Sequence, residues 1–153
     1  MLSLENKIPP PLLTLFTAAA MWWLSLFTSP VELTSTVKIF SVLSFIFVGA
    51  LFALLGIISF RRAKTTINPL KPETTSSLVT TGIYQFTRNP MYLALVFFLL
   101  AWASYLASVW AITLIFLFMM YMQYFQIAPE EKALARLFNG EFTQYKKRVR
   151  TWL

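Results

Sequence analysis

Four long apolar segments constrain this chain more than any other feature of its sequence. They cover residues 10–28, 37–60, 90–107 and 109–127. Each has roughly 18 to 24 residues, which lets a helix rising about 1.5 Å per residue cross about 30 Å of hydrocarbon. The sequence therefore predicts an all-α integral membrane protein with about four transmembrane helices.

The composition fits a bilayer environment. Of the 153 residues, 58% are hydrophobic and 12% are charged, whereas soluble domains are nearer a quarter charged. So much apolar surface cannot be buried inside so small a globule. The chain has no cysteine and no histidine, which excludes disulfides and thiolate chemistry and removes the usual neutral-pH base and zinc ligand. We therefore expect no metal site.

The basic residues predict an orientation in the membrane. Eleven of the thirteen lie either in the 61–89 loop or in the tail after residue 128. By the positive-inside rule both regions face the cytoplasm, and with four spans the N-terminus does too. The net charge of +7 then reflects orientation and anionic headgroups, not nucleic-acid binding. We expect a multi-pass protein of a bacterial inner membrane, with the lipid bilayer as its partner.

The spacing of the segments predicts the organisation of the chain. The third and fourth segments are separated by a very short turn, so we expect a transmembrane hairpin over residues 90–127. The first segment is longer than a signal-peptide core and lacks a clear cleavage site, so we expect it to be retained. The chain then divides into an N-terminal helix pair, residues 1–60, and a core, residues 61–153.

Two cytoplasmic regions flank the hairpin. The loop before it contains "LVTTGIYQF", which is too apolar for a free linker and predicts an ordered segment. The tail predicts amphipathic helices, broken at Asn139-Gly140, on the membrane or against the end of the bundle. Its apolar residues at helical spacing are Leu134, Leu137, Phe138, Phe142, Tyr145, Val149 and Trp152.

The stretch "TRNPMY" at residues 87–92 has two interpretations. In the structural one, Asn89 caps the third helix, Pro90 occupies its first position and Arg88 is a positive-inside anchor. In the functional one, Arg88 binds a carboxylate through two parallel hydrogen bonds.

Neighbouring residues favour the functional interpretation of this stretch. Gly82 supplies a turn before it. Tyr84 lies four residues before Arg88 and shares its face if the segment is helical. Tyr92 follows just beyond. The arginine would then lie at a helix start among tyrosines.

Two adjacent acids follow the hairpin. Glu130 and Glu131 suit the first turn of a helix, because acids there complement its dipole. At 100° per residue, however, both lie on or beside the apolar stripe that contains Leu134. A carboxylate on a packing face needs a partner, and the candidates are Arg88, a ligand hydroxyl or a ligand cation. The preceding "MMYMQYFQ" indicates either adaptable packing with an interfacial belt or the wall of a ligand pocket.

These residues also carry a family resemblance over about residues 60–153. An R-x-P-x-Y box at residues 88–92 and an E-E-x-x-L box at residues 130–134 flank one hairpin, and a G-x-Y precedes the first box. The order resembles the isoprenylcysteine carboxyl methyltransferase and phospholipid methyltransferase superfamily. Many eukaryotic members have a histidine where this chain has Asn89.

The resemblance implies a metal-free, membrane-embedded transfer of a methyl group from S-adenosylmethionine at the cytoplasmic face. It makes residues 61–153 a methyltransferase core that acts on a lipid-like or small hydrophobic acceptor. By position, Arg88, Glu130 and Glu131 are the catalytic candidates. The implied cofactor site consists of Gly82, Tyr84, Arg88, Pro90, Tyr92, Glu130 and Glu131.

Several functions stay open on the sequence. The acceptor could be a prenylcysteine carboxylate, a phospholipid amine or a small thiol. A reductase-like relative and a non-enzymatic four-helix membrane protein are the other classes. No acid or base lies near the middle of any apolar segment, which argues against a proton-coupled exporter.

Overall fold

The computed structural model describes residues 7–63 and 76–153, and within these ranges it is helical, with one isolated bridge between Thr87 and Arg150. The all-α prediction is confirmed. The elements are α1 (Pro10–Ser25), α2 (Ser35–Arg62), a 3-10 helix (Gly82–Gln85), α3 (Pro90–Leu106), α4 (Val109–Tyr121), a π-helical segment (Met122–Ile127) and α5 (Ala128–Arg148).

The helix boundaries follow from local chemistry. Pro10 and Pro90 occupy the first turns of α1 and α3, where a missing backbone N–H leaves no bond unmade. Thr34 caps α2, its hydroxyl accepting a bond from the Val37 N–H at 3.4 Å. Ala107 ends α3 with a left-handed backbone, φ 50°. Asn89 occupies the predicted N-cap position of α3, but its side chain makes no cap bond and donates instead to the Thr151 carbonyl at 3.0 Å.

Two helical segments are long and apolar enough to cross a membrane. The most apolar 18-residue windows of Ser35–Arg62 and of the continuous segment Val109–Arg148 have mean hydropathies of 2.6 and 1.6. The apolar part of the second ends at Ile127, because α5 carries charged side chains from Glu130 onward and so lies outside the spanning part. The 16 residues of α1 and 17 of α3 are shorter, so four spans and their orientation stay predictions.

The helices make two sets of packing contacts, one between α2 and α3 and one between α1 and the hairpin of α3 and α4. α2 runs along α3, with a close approach at Gly49, where a Cβ atom would lie 2.8 Å from the Phe98 ring. α1 packs against α3 and α4, and the Trp102 indole donates to the Ala18 carbonyl at 3.0 Å. The central core contains Met21, Val96, Leu99, Ala111, Ile115, Phe118, Met122 and Ile127.

The two regions that flank the hairpin are ordered where the structure describes them. In the loop, Val79, Tyr84 and Thr87 are buried, which confirms that this part is not a free linker. Residues 64–75 of that loop lie outside the described residues. The division of the chain at residue 60 stays a prediction.

The predicted break in α5 is confirmed, because Asn139 has a non-helical backbone with φ 31° and ψ −107°. Beyond the break, Phe142, Tyr145 and Val149 form a buried cluster. The placement of Leu137 on the same buried stripe is wrong, since it is 46% exposed. Leu134 and Phe138, which precede the break, pack against that cluster, so the apolar face continues across it. Leu137 lies at the edge of this face, about 100° from Phe138.

Candidate functional site

The two boxes meet where α3 begins and α5 leaves the π-helical segment. Arg88 and Glu131 are 43 residues apart, but the hairpin returns the chain and brings their side chains together. The Arg88 Nε and Nη2 atoms donate to Glu131 Oε1 at 3.1 and 2.5 Å. The two side chains are only 9% and 16% exposed. The expectation that Arg88 would be the partner of one glutamate is confirmed for Glu131.

Glu131 also binds a second cation. Lys146, from the last turns of α5, approaches Glu131 Oε2 at 2.7 Å with a side chain 44% exposed. One carboxylate therefore neutralises a buried guanidinium and a half-exposed ammonium. This arrangement ties both ends of α5 to the start of α3.

The C-terminal segment, residues 149–153, completes the surroundings of Arg88. The guanidinium donates to the Val149 carbonyl and, at 2.6 Å, to the Thr151 hydroxyl. The Arg88 backbone N–H donates to the Arg150 carbonyl at 3.0 Å, as part of the bridge between Thr87 and Arg150. Sequence reasoning missed these contacts, because a backbone carbonyl leaves no signature in the letters.

Glu130 faces a different partner. Its Oε2 atom accepts a hydrogen bond from the Tyr92 hydroxyl at 2.9 Å. The pKa of Glu130 is raised to about 7, mainly by burial; the bond from Tyr92 lowers it and the charge of Glu131 contributes to the rise. The two adjacent glutamates therefore differ: Glu131 is held by cations, and Glu130 is poised to exchange a proton near neutral pH.

Tyr84 reaches the site from the 3-10 helix. Gly82 opens that helix with φ +64°, a backbone conformation that favours glycine, so the predicted turn is confirmed. The predicted helical face shared by Tyr84 and Arg88 is wrong, because the 3-10 helix ends at Gln85. The Tyr84 ring instead packs against Phe60 at 5.4 Å. Burial raises the pKa of Tyr84, and the charge of Glu130 contributes.

The Tyr84 backbone fixes the far end of α5. Its carbonyl accepts a bond from the Tyr145 hydroxyl at 2.6 Å. Burial raises the pKa of Tyr145, and the charge of Arg88 acts in the opposite direction. The 3-10 helix, α5 and the arginine are thereby held in one rigid arrangement.

The π-helical segment contributes two residues that sequence reasoning did not assign. Gln126, only 2% exposed, hydrogen-bonds the Tyr92 side chain, and Gln123 Oε1 accepts a bond from the Trp152 indole at 3.2 Å. The sequence feature that could have indicated the π-helical segment is Pro129, because in a regular α-helix a proline ring clashes with the carbonyl four residues earlier. A wider turn before it relieves that clash, and such turns are frequent at functional sites.

The structure thus joins four of the predicted residues into one polar cluster, defined here as Arg88, Tyr92, Glu130 and Glu131. Tyr84 borders the polar cluster. Gly82 and Pro90 provide backbone geometry and no polar side chain. The polar cluster offers carboxylate acceptors for hydroxyl or amino groups, a guanidinium that suits a carboxylate, and aromatic faces that attract cations.

Comparisons with known proteins identify the family of this chain. The phospholipid methyltransferase family matches residues 37–141, a region that contains the whole polar cluster. An uncharacterized protein of Haemophilus influenzae is 41% identical over 63 residues, which are 41% of this chain and the full length of that protein. No solved structure gives a significant match. The family match covers well over half of the chain, and the chain therefore belongs to the phospholipid methyltransferase family.

Proposed function

We propose that this protein is a membrane methyltransferase that uses S-adenosylmethionine and acts on a lipid-like or small hydrophobic acceptor. The observation that carries the proposal is the polar cluster, in which the two boxes of a methyltransferase-family chain converge on one partly buried site. The cluster lies at the end of the apolar hairpin, so a polar cofactor would enter from the cytosol and an apolar acceptor sideways from the bilayer.

The side-chain types present in the polar cluster match the chemical groups of this cofactor. Glu130 uses one oxygen for Tyr92, and since a carboxylate accepts up to about four hydrogen bonds, it retains capacity for ribose hydroxyls or the amino group. Arg88 gives four of its five N–H groups to Glu131, Val149 and Thr151, so it would offer the carboxylate of the methionine part its charge and one remaining donor. Tyr84 and Tyr92 offer faces for a sulfonium. When bound, S-adenosylmethionine supplies an electrophilic methyl group that needs alignment more than a protein nucleophile.

The geometry supports separate roles for the two glutamates. Glu131 is engaged by Arg88 and Lys146, so its role is to position the guanidinium. Glu130 is not paired with a cation in the described part of the chain, so it is the one proposed to contact the cofactor or acceptor. A positioning residue and a contacting residue predict different effects on binding.

The acceptor is proposed in two forms. The family description favours a phospholipid amine, which must lose a proton before or during transfer. With a pKa of about 7, Glu130 is suited to accept that proton at neutral pH. The alternative, an isoprenylcysteine carboxylate, is already ionised and needs no base. Glu130 would then only bind and orient.

Calorimetric titration of the detergent-purified chain tests the cofactor. We expect binding of S-adenosylmethionine and S-adenosylhomocysteine, weakened about tenfold to a hundredfold by Arg88→Ala or Glu130→Gln, the effect of unpairing a charged hydrogen bond. Glu141→Gln is the matched control, because it removes an exposed acid from the same helix. No binding at millimolar ligand would refute the cofactor. Unchanged affinity in both variants would refute the site alone.

Transfer of a labelled methyl group separates the acceptors. Membranes containing the protein would be supplied with phosphatidylethanolamine or with a prenylcysteine analogue. An amine acceptor predicts a rate that rises as pH passes through about 7 and is lost in Glu130→Gln. A carboxylate acceptor predicts a rate that keeps its pH profile in that variant.

A further inference from the structure

A basic cleft lies beside the polar cluster, and of its lining only Arg88 belongs to the proposed cofactor site. It has a volume of about 500 Å³ and is lined by Arg88 and every residue from Lys146 to Leu153. Apart from Arg88, its lining lies outside residues 37–141, the part that matches the family. The cleft is therefore formed mainly by the last turn of α5 and the C-terminal segment.

The cleft contains positive charge without a counter-charge. Arg88 and Lys146 are both paired with Glu131. The other three cations, Lys147, Arg148 and Arg150, are exposed and make no salt bridge within the described ranges 7–63 and 76–153. Cationic side chains of this kind bind phosphate groups.

The position of the cleft relative to the apolar hairpin follows from one backbone contact. The bridge between Thr87 and Arg150 holds the C-terminal segment beside Thr87. Thr87 lies three residues before Pro90, where the apolar α3 begins. The cleft is therefore level with the end of the apolar hairpin, where headgroups of a surrounding bilayer would lie. Its setting is amphipathic, because Leu153 is 60% exposed beside the cations and Trp152 is partly exposed.

We infer that this cleft binds the headgroup of an anionic phospholipid from the surrounding bilayer. The three unpaired cations contact the phosphate, and Trp152 and Leu153 contact the start of the acyl chains. The apolar rim favours a lipid over a soluble anion or a nucleic acid, which would present no apolar part to it. The bound lipid is a structural ligand and not the methyl acceptor, so this inference does not rest on the proposed function.

Short-chain lipids test the inference on the detergent-purified full chain. Dihexanoyl phosphatidylglycerol is titrated while tryptophan fluorescence is followed, with dihexanoyl phosphatidylcholine, inorganic phosphate and a short DNA oligonucleotide as separate arms. We expect phosphatidylglycerol to bind most tightly. The double variant R148Q/R150Q should weaken that binding about thirtyfold, since each basic residue near an anionic surface contributes about one factor of five.

The matched control removes the same charge elsewhere on α5. The variant K132Q/R136Q lacks two exposed cations that do not line the cleft, and it should bind phosphatidylglycerol as the parent chain does. Equal losses in the two double variants would overturn the inference, as would equal affinity for phosphatidylcholine. Tighter binding of free phosphate or of the oligonucleotide would also overturn it. S-adenosylmethionine titration of the same variants separates failure here from failure of the proposed function.

Discussion

Glu131 binds two cations that differ in burial, and this makes the energetics of the site measurable. The Arg88 side chain is 9% exposed and that of Lys146 is 44% exposed. Replacing Glu131 with glutamine keeps the shape of the side chain but removes its charge. The guanidinium then stays buried without neutralisation, whereas the ammonium can turn to water.

The expected magnitudes follow from that contrast. Breaking a buried ion pair costs about 3–5 kcal/mol and a hydrogen bond to a charged group about 1.5–3. Because Arg88 keeps its bonds to Val149 and Thr151, we expect Glu131→Gln to cost about 3 kcal/mol. For a chain of this length that lowers the Tm by about 6–12 °C.

Double-mutant cycles measure the coupling free energy of each ion pair from thermal unfolding in a single detergent. The cycle of Glu131→Gln with Arg88→Met should give a coupling of about 2–3 kcal/mol. The cycle with Lys146→Met should give about 0.2–1 kcal/mol, the range of an exposed pair. Glu141→Gln is the control and should change stability by less than about 0.5 kcal/mol. Equal couplings for the two cations, or less than about 1 kcal/mol for Arg88, would refute the reasoning.

Three further predictions concern the surroundings of the polar cluster. Since the folded-state pKa of Glu130 is raised to about 7, the unfolded chain loses this proton first, and stability should fall as pH rises from about 4.5 to about 7. Thermal unfolding of Glu130→Gln should lack that part of the decline, and a decline of unchanged size would contradict the assignment. Tyr92→Phe removes a hydrogen bond that lowers the pKa of Glu130. In this variant the decline in stability should therefore extend to higher pH in the same assay. Gly82→Ala should lower stability by about 1–2 kcal/mol because of the positive φ and because the Ser59 hydroxyl lies 2.8 Å from the added Cβ. Gly140→Ala is the control and should not lower stability in this way, because the space around Gly140 is open.

Much of the architecture was predictable because it rests on local signals. Prolines at the start of apolar runs predicted the first turns of α1 and α3, and Asn139-Gly140 predicted the break in α5. The partnership of an inward-facing glutamate with Arg88 was predictable from the cost of burying a lone carboxylate.

The parts that were not predictable depend on long-range geometry. Asn89 occupies the cap position, but its amide nitrogen donates to the distant Thr151 carbonyl, and its side chain makes no cap bond. The contacts of the C-terminal segment use backbone atoms that every residue possesses. The assignment of Gln126 to Tyr92 required the π-helical segment, whose presence changes which residues face the polar cluster.

That segment sets the angular phase between the apolar part of the helix, α4, and its charged part, α5. A π-helical turn contains about one residue more than an α-helical turn, so it delays the rotation of everything after it by roughly 100°. A one-residue deletion within Met122–Ile127 that restores regular hydrogen bonding would leave the faces of α4 and α5 aligned as they are. The same deletion within α4 would turn Glu130 and Glu131 away from Tyr92 and Arg88. The segment behaves as a single inserted residue that lets the apolar α4 and the charged α5 share one axis.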